Sequence, residues 1–180
     1  EAGMGLQRRP RQRRALAALR GARRGGRGGR AGHGVRATGA AAVAACAGAA
    51  AVAFLCYYAT LLPGLDLGDS ASFQTGVGSL TLTPRQAYPL YYGLGNLFVW
   101  LHPGEPARAL NFASAVYGAV AVGLATRLAS RLVESVLAGA AAGLFLAFSY
   151  SFCSQATTAE VYTLHLVIVG ASLLALVSWA

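Results

Sequence analysis

The chain has 180 residues, of which 56% are hydrophobic and 12% are charged. This composition is too apolar for a soluble domain of that length, and it indicates an integral membrane protein. The net charge of +9 is unevenly spread, because eleven of the fifteen basic residues precede residue 40, where Glu1 is the only acid.

Residues 1–39 are rich in Gly and Arg and show no hydrophobic period. Such a segment cannot bury enough apolar surface to fold, so we predict a disordered basic tail. Its charge favours a cytosolic N-terminus close to anionic lipid. An organellar transit peptide is an alternative, although the tail lacks Ser and an amphipathic period. No nucleic-acid partner is predicted, since no aromatic side chains are interleaved to stack on bases.

Residues 40–62 form an uncharged run that is long enough to cross a hydrocarbon core about 30 Å thick. Tyr57 and Tyr58 lie near its end, as interfacial aromatic residues do, and Pro63 and Gly64 then end the helix. We predict a first span, with a signal anchor as the alternative, and the following residues on the outer or lumenal face.

Three further hydrophobic segments predict spans at residues 109–126, 136–152 and 161–180. Gly139 and Gly143 have the spacing that lets helices pack closely. The predicted fold is an all-α, multi-spanning helical bundle. Because no polar residues follow the last apolar run, we expect residues 40–180 to be the N-terminal part of a longer membrane domain.

A long polar loop, residues 63–108, separates the first two predicted spans and contains a short apolar segment at residues 88–102. If this segment crossed the membrane, Arg127 and Arg131 would lie outside, against the positive-inside tendency. We therefore favour a segment that lies on or dips into the outer surface.

The acidic residues near the predicted spans are candidates for function, because charge at a membrane edge is costly. Asp66 and Asp69 lie three residues apart in the loop. As an alternative role, Asp69 would cap a short helix. Glu160 opens the last span, and its alternative role is a capping box with Thr157 as the N-cap.

The cysteine and histidine residues give no metal-site pattern. Cys46, Cys56 and Cys153 form no C-x-x-C pair, and the three His are scattered. We interpret the cysteines as small apolar side chains and predict no metal site.

Several short motifs occur in an order typical of one family. They are LGDS at 67–70, YPL at 88–90, Asn111 with Ser114 and Gly118, and SQATTAEVYTLH at 154–165. In these motifs the chain resembles the domain of unknown function 2723 family over about residues 40–180. That family includes bacterial membrane proteins and the animal transmembrane-protein-260 type of protein O-mannosyltransferase.

The resemblance implies a GT-C type glycosyltransferase that moves a sugar from a dolichyl- or polyprenyl-phosphate donor to a protein hydroxyl. Asp69 matches the acid of the family's G-D-S-G-E-F pattern and is implied as the catalytic base or orienter, with Asp66 and Glu160 as secondary candidates. Arg85 and Arg108 are the candidates for binding the donor phosphate, although Arg85 also suits a contact with lipid headgroups. The implied partners are the bilayer, the lipid-linked donor and a protein acceptor.

The sequence also departs from the family pattern. Ser72 stands where the family has a second acid, and TPRQAYPL replaces H-P-P-G-Y-P-L. These departures favour an alternative, a decayed membrane scaffold or lipid-binding subunit of the same fold. A transporter has less support, because no charge falls mid-span. The expected location is the endoplasmic reticulum membrane in a eukaryote and the plasma membrane in a bacterium.

Overall fold

The computed structural model describes residues 31–77, 88–101 and 104–179, with side chains from residue 39 onward. Within these ranges it is helical, with no strand, which confirms the predicted all-α class. The helices are α1 (Ala31–Ala59), α2 (Asp69–Gly76), α3 (Pro89–Leu101), α4 (Pro106–Leu132), α5 (Val136–Ala147), α6 (Tyr150–Thr157) and α7 (Val161–Trp179).

The chain divides into two compact units, Glu1–Ala40 and Ala41–Ala180. Of the first unit, only the start of α1 is described, so the predicted disorder of the tail up to residue 30 lies outside the described residues. Helix α1 begins at Ala31, which is earlier than the predicted start of the first span. All contacts discussed below belong to the second unit.

Three helices are long and apolar enough to cross a membrane: Gly39–Ala59 of α1, Pro106–Leu132 and Val161–Trp179. A fourth crossing requires α5 and α6 to act together, although they meet at a bend of 64°. Helix α3 has 13 residues and is not among the candidates. Which segments cross a bilayer stays a prediction.

Helix α4 lies at the centre of the second unit. It contacts α2, α3, α5, α6 and α7. It also packs against α1 through small residues, because Ala49 and Ala53 of α1 share one buried cluster with Ala115 and Val122 of α4. A second buried cluster joins α2, α3 and α4 to the start of α7. Its residues are Phe73, Val77, Tyr91, Tyr92, Leu110, Ala159 and Leu164.

The bend between α5 and α6 leaves backbone carbonyls that the helix no longer satisfies. The Tyr57 hydroxyl of α1 donates a buried hydrogen bond to the Ala147 carbonyl at 2.9 Å. Ser149 donates to the Leu146 carbonyl at 2.8 Å. The bend is therefore stabilised by a side chain from another helix as well as by local bonds.

Helices α4 and α5 pack closely because α5 has glycine at the contact. A Cβ added at Gly139 would lie 2.7 Å from the Thr126 carbonyl oxygen and would also clash with the Ser130 side chain. A Cβ at Gly143 would clash with the Thr126 side chain. The Gly139-x-x-x-Gly143 spacing thus marks a real helix contact.

Gly139→Ala is expected to destabilise the folded domain by about 1–3 kcal/mol, because the clash involves a backbone atom that cannot rotate away. The measurement is thermal or denaturant unfolding in detergent. Gly48→Ala is the matched control, since a Cβ at Gly48 meets nothing within 4 Å. Equal stability of both variants would contradict the close α4–α5 contact.

Candidate functional site

The candidate site lies at the end of the bundle where α1 ends and α4 and α7 begin, and we call this the site end. Helix α2 packs there through one face, on which Ser70, Phe73 and Gln74 are buried. Asp69 and Ser72 are exposed. Because they are three residues apart on a helix, their side chains are neighbours on its surface.

A buried amide pair attaches α2 to the central helix. Gln74 Nε2 donates to Asn111 Oδ1 at 2.8 Å, and both side chains are nearly inaccessible to solvent. Gln74 Oε1 in turn accepts from the Asp66 backbone N–H at 2.8 Å. The pair therefore connects α4, α2 and the loop that precedes α2.

The same asparagine holds the chain that leaves α1. Asn111 Nδ2 donates to the Leu62 carbonyl at 2.9 Å and to the Gly64 carbonyl at 3.1 Å. The Leu62 N–H donates to the Thr157 carbonyl at 3.2 Å. These bonds satisfy loop backbone groups that α1 leaves unpaired, so the loop has a defined path toward Asp69.

A second connection joins the first turn of α2 to the start of α7. Ser70 Oγ donates to Glu160 Oε1 at 2.7 Å. The Glu160 N–H donates to Ser114 Oγ at 3.2 Å, and Ser114 is fully buried on α4. Three elements that are distant in sequence therefore meet at Glu160.

Tyr91 of α3 lies beside this connection. Its hydroxyl is buried near Ser114 but forms no hydrogen bond of ordinary geometry with a described residue. Burial raises the pKa of the Tyr91 phenol above its ordinary value, and the nearby Glu160 carboxylate also raises it. The phenol therefore stays protonated at neutral pH and remains a hydrogen-bond donor.

Asp69 is the first residue of α2 and is exposed. Gly68, with a positive φ of 72°, occupies the N-cap position. The alternative role predicted for Asp69, as the cap of this helix, is therefore wrong. Among the residues described, no hydrogen bond or ion pair involves the Asp69 side chain. Asp66 differs, because its Oδ1 accepts from the Leu67 N–H at 2.8 Å.

The capping-box interpretation of Glu160 is wrong. Thr157 ends α6, and its hydroxyl donates back to the Cys153 carbonyl at 3.2 Å and to the Ser154 carbonyl at 3.1 Å. Because Thr157 belongs to the preceding helix, it cannot be the N-cap of α7. The Glu160 carboxylate instead accepts from Ser70, across the bundle.

Of the two candidate phosphate-binding residues, only Arg108 lies among the described residues. Arg85 lies outside the described residues. Arg108 is exposed in the first turn of α4, and no hydrogen bond or ion pair links it to the described part of the site. Its role in binding a donor phosphate stays a prediction.

A cleft of about 390 Å³ opens between the start of α3 and the start of α7. Its lining is mainly apolar and includes three tyrosines and one histidine. The lining residues are Tyr88, Pro89, Leu90, Tyr91, Val161, Tyr162, Leu164, His165 and Ile168. The cleft is suited to an elongated apolar group beside the polar residues of the site end.

Two residues important to this arrangement, Ser70 and Gln74, were not predicted as site residues. One signal was available, because Ser70 and Gln74 are four residues apart and flank Phe73, as polar residues on a buried helix face do. The partners Asn111 and Glu160 lie too far along the chain for sequence spacing to pair them.

The cysteines at positions 46, 56 and 153 are free thiols. Within residues 31–77, 88–101 and 104–179, no group of three His, Cys, Asp or Glu side chains is placed to hold a metal ion.

The chain was compared with known proteins. Neither the curated proteins nor the solved structures gave a match. Residues 69–180 match the family described as the protein O-mannosyl-transferase TMEM260 N-terminal domain. The match begins at Asp69 and includes α2 through α7, which together form the site described above. Because it covers more than half of the sequence, this chain belongs to that family.

Proposed function

We propose that the chain is the N-terminal part of a membrane glycosyltransferase that moves a sugar from a polyprenyl-phosphate donor to a protein hydroxyl. The observation that carries the proposal is the Asp69 carboxylate, which is exposed in the first turn of a helix that is itself anchored to the bundle. Membership of a protein O-mannosyl-transferase family supports the reaction class.

Asp69 has the chemistry that the reaction needs. An ionised carboxylate only accepts hydrogen bonds, and no described residue occupies that of Asp69. In the proposed step, the acceptor hydroxyl oxygen attacks the anomeric carbon, and its proton passes to Asp69. The bond between the anomeric carbon and the phosphate oxygen breaks, and its electron pair leaves with the phosphate. No covalent intermediate on the protein is required.

The lipid part of the donor has a suitable place at the site end. The cleft between α3 and α7 is lined mainly by apolar side chains and begins at Val161, the residue after Glu160. It lies along the first turns of α7, a helix apolar enough to span a membrane. We propose that a polyprenyl chain in the cleft has its phosphate near the polar residues of the site end. Arg108 and Arg85 are the proposed cationic partners of that phosphate.

One observation favours a second function, a membrane scaffold that has lost the chemistry. Ser72 occupies the exposed position beside Asp69, where the family that the sequence resembles has a second acid. A serine cannot supply that negative charge. The scaffold would keep the anchored α2 and the cleft but would not transfer a sugar.

Asp69→Asn in the full-length protein is expected to lower sugar transfer by at least about 100-fold, because an amide does not take the acceptor proton. The measurement is transfer of radiolabelled mannose from a polyprenyl-phosphate donor to an acceptor peptide in membranes. Glu105→Gln is the matched control and is expected to keep activity, since Glu105 is also an exposed acid at the site end. Full activity of Asp69→Asn at equal membrane level would overturn the Asp69 assignment.

Ser72→Glu is expected to raise the transfer rate several-fold, because it places a second carboxylate beside Asp69 on the exposed face of α2. The same transfer assay measures it. Thr75→Glu is the control, since Thr75 is exposed on α2 but points in a different direction from Asp69. If sugar transfer is undetectable both in the native protein and in Ser72→Glu, the result would favour the scaffold.

A further inference from the structure

We propose that Glu160 is a positioning residue that fixes the orientation of Asp69 by holding the first turn of α2 through Ser70. This inference rests on the proposed function, because it assigns Asp69 the reacting role. It concerns a different group, however, and it has a consequence that can be measured without any transfer assay.

Helix α2 has two ends with different attachments. It has eight residues, which is too short for a helix to be stable without tertiary contacts. Its later half is held by the Gln74–Asn111 bond. Its beginning has no side-chain cap, because Gly68 occupies the N-cap position. Among the described residues, the bond from Ser70 to Glu160 is therefore the polar side-chain contact that attaches the turn containing Asp69 to another helix.

Glu160 is suited to this task because its own position is fixed. Its N–H donates to Ser114 Oγ at 3.2 Å, and Ser114 is fully buried on the central helix α4. Ser70 is also buried, with 4% of its surface exposed. A hydrogen bond to an ionised carboxylate is stronger than one between neutral groups. The Ser70–Glu160 bond therefore joins α2, through Glu160 and Ser114, to the central helix α4.

The geometry sets the size of the effect. Asp69 precedes Gln74 by five residues, which is about 7 Å along a helix that rises about 1.5 Å per residue. If the Ser70–Glu160 bond were lost, a tilt of about 10° around Gln74 would move Asp69 by about 1 Å. A misplacement of that size is enough to lower a rate by about 100-fold.

The same bond separates the roles of two acids at the site end. Oε1 of Glu160 is occupied by the Ser70 hydroxyl, whereas no described residue occupies the Asp69 carboxylate. Asp69 is therefore the acid available to an acceptor hydroxyl, and Glu160 acts through Ser70.

The test compares Ser70→Ala, Glu160→Ala, Glu160→Gln and the double variant Ser70→Ala/Glu160→Ala in the full-length protein. Transfer from a polyprenyl-phosphate mannose donor gives kcat and KM. Amide hydrogen exchange of residues 69–77, followed by mass spectrometry, reports how firmly α2 is held. Thr75→Ala is the matched control, because its hydroxyl donates to the Ala71 carbonyl within α2 and joins it to no other helix.

Both alanine variants are expected to lower kcat roughly 10- to 100-fold with little change in the donor KM, and to speed exchange in α2. The double variant should be no worse than either single one, because both remove the same bond. Glu160→Gln should retain most of the activity, since its amide oxygen still accepts from Ser70. Thr75→Ala should match the native protein in both measurements.

Three results would overturn the proposal: unchanged exchange in both alanine variants, additive losses in the double variant, or an equal loss of activity in Glu160→Gln and Glu160→Ala. The last would make the Glu160 carboxylate itself a reacting group. If the native protein transfers no sugar, the proposed function fails. Hydrogen exchange then still decides whether Glu160 holds α2.

Discussion

The arrangement of the site end depends on one buried side chain, Asn111. Its amide donates to two loop carbonyls and accepts from Gln74, so it uses donor and acceptor capacity at the same time. A buried amide that loses its partners costs about 1–3 kcal/mol per unsatisfied group. A loop path that moved the Leu62 and Gly64 carbonyls away from Asn111 would leave its buried amide donors unpaired, which favours the observed path.

This constraint is effective because Asn111 belongs to α4, the helix that most of the others contact. One turn further along, Ser114 of the same helix holds the Glu160 backbone. Two neighbouring polar residues of α4 therefore organise two chain segments, the loop after α1 and the start of α7. In a membrane bundle whose helices meet through small residues such as Gly118 and Gly139, such polar bonds supply much of the specificity of the arrangement.

The fold class could be predicted from the sequence, because long uncharged runs permit little besides membrane helices. The 64° bend between α5 and α6 could not, since the segment contains no proline and its Ala147 carbonyl is satisfied by Tyr57 of a distant helix. The alternative role of Glu160, a capping box, is wrong for a related reason. The T-x-x-E spacing fits a capping box locally, but Thr157 ends the preceding helix, and the carboxylate has a better partner in Ser70.

Asp69 and Glu160, the first and a secondary candidate from the sequence, are distinguished by their environments. Asp69 is exposed in the first turn of α2. Glu160 is half-buried and engaged by a buried serine. An acid that must exchange a proton with a substrate needs access, whereas an acid that orients a helix needs a fixed partner. The serine at position 72 weakens the first role by leaving Asp69 without a neighbouring acid, but it leaves the second intact, because Ser72 is exposed and takes no part in anchoring α2. A chain that had lost transfer activity would therefore still present its carboxylate in the same orientation.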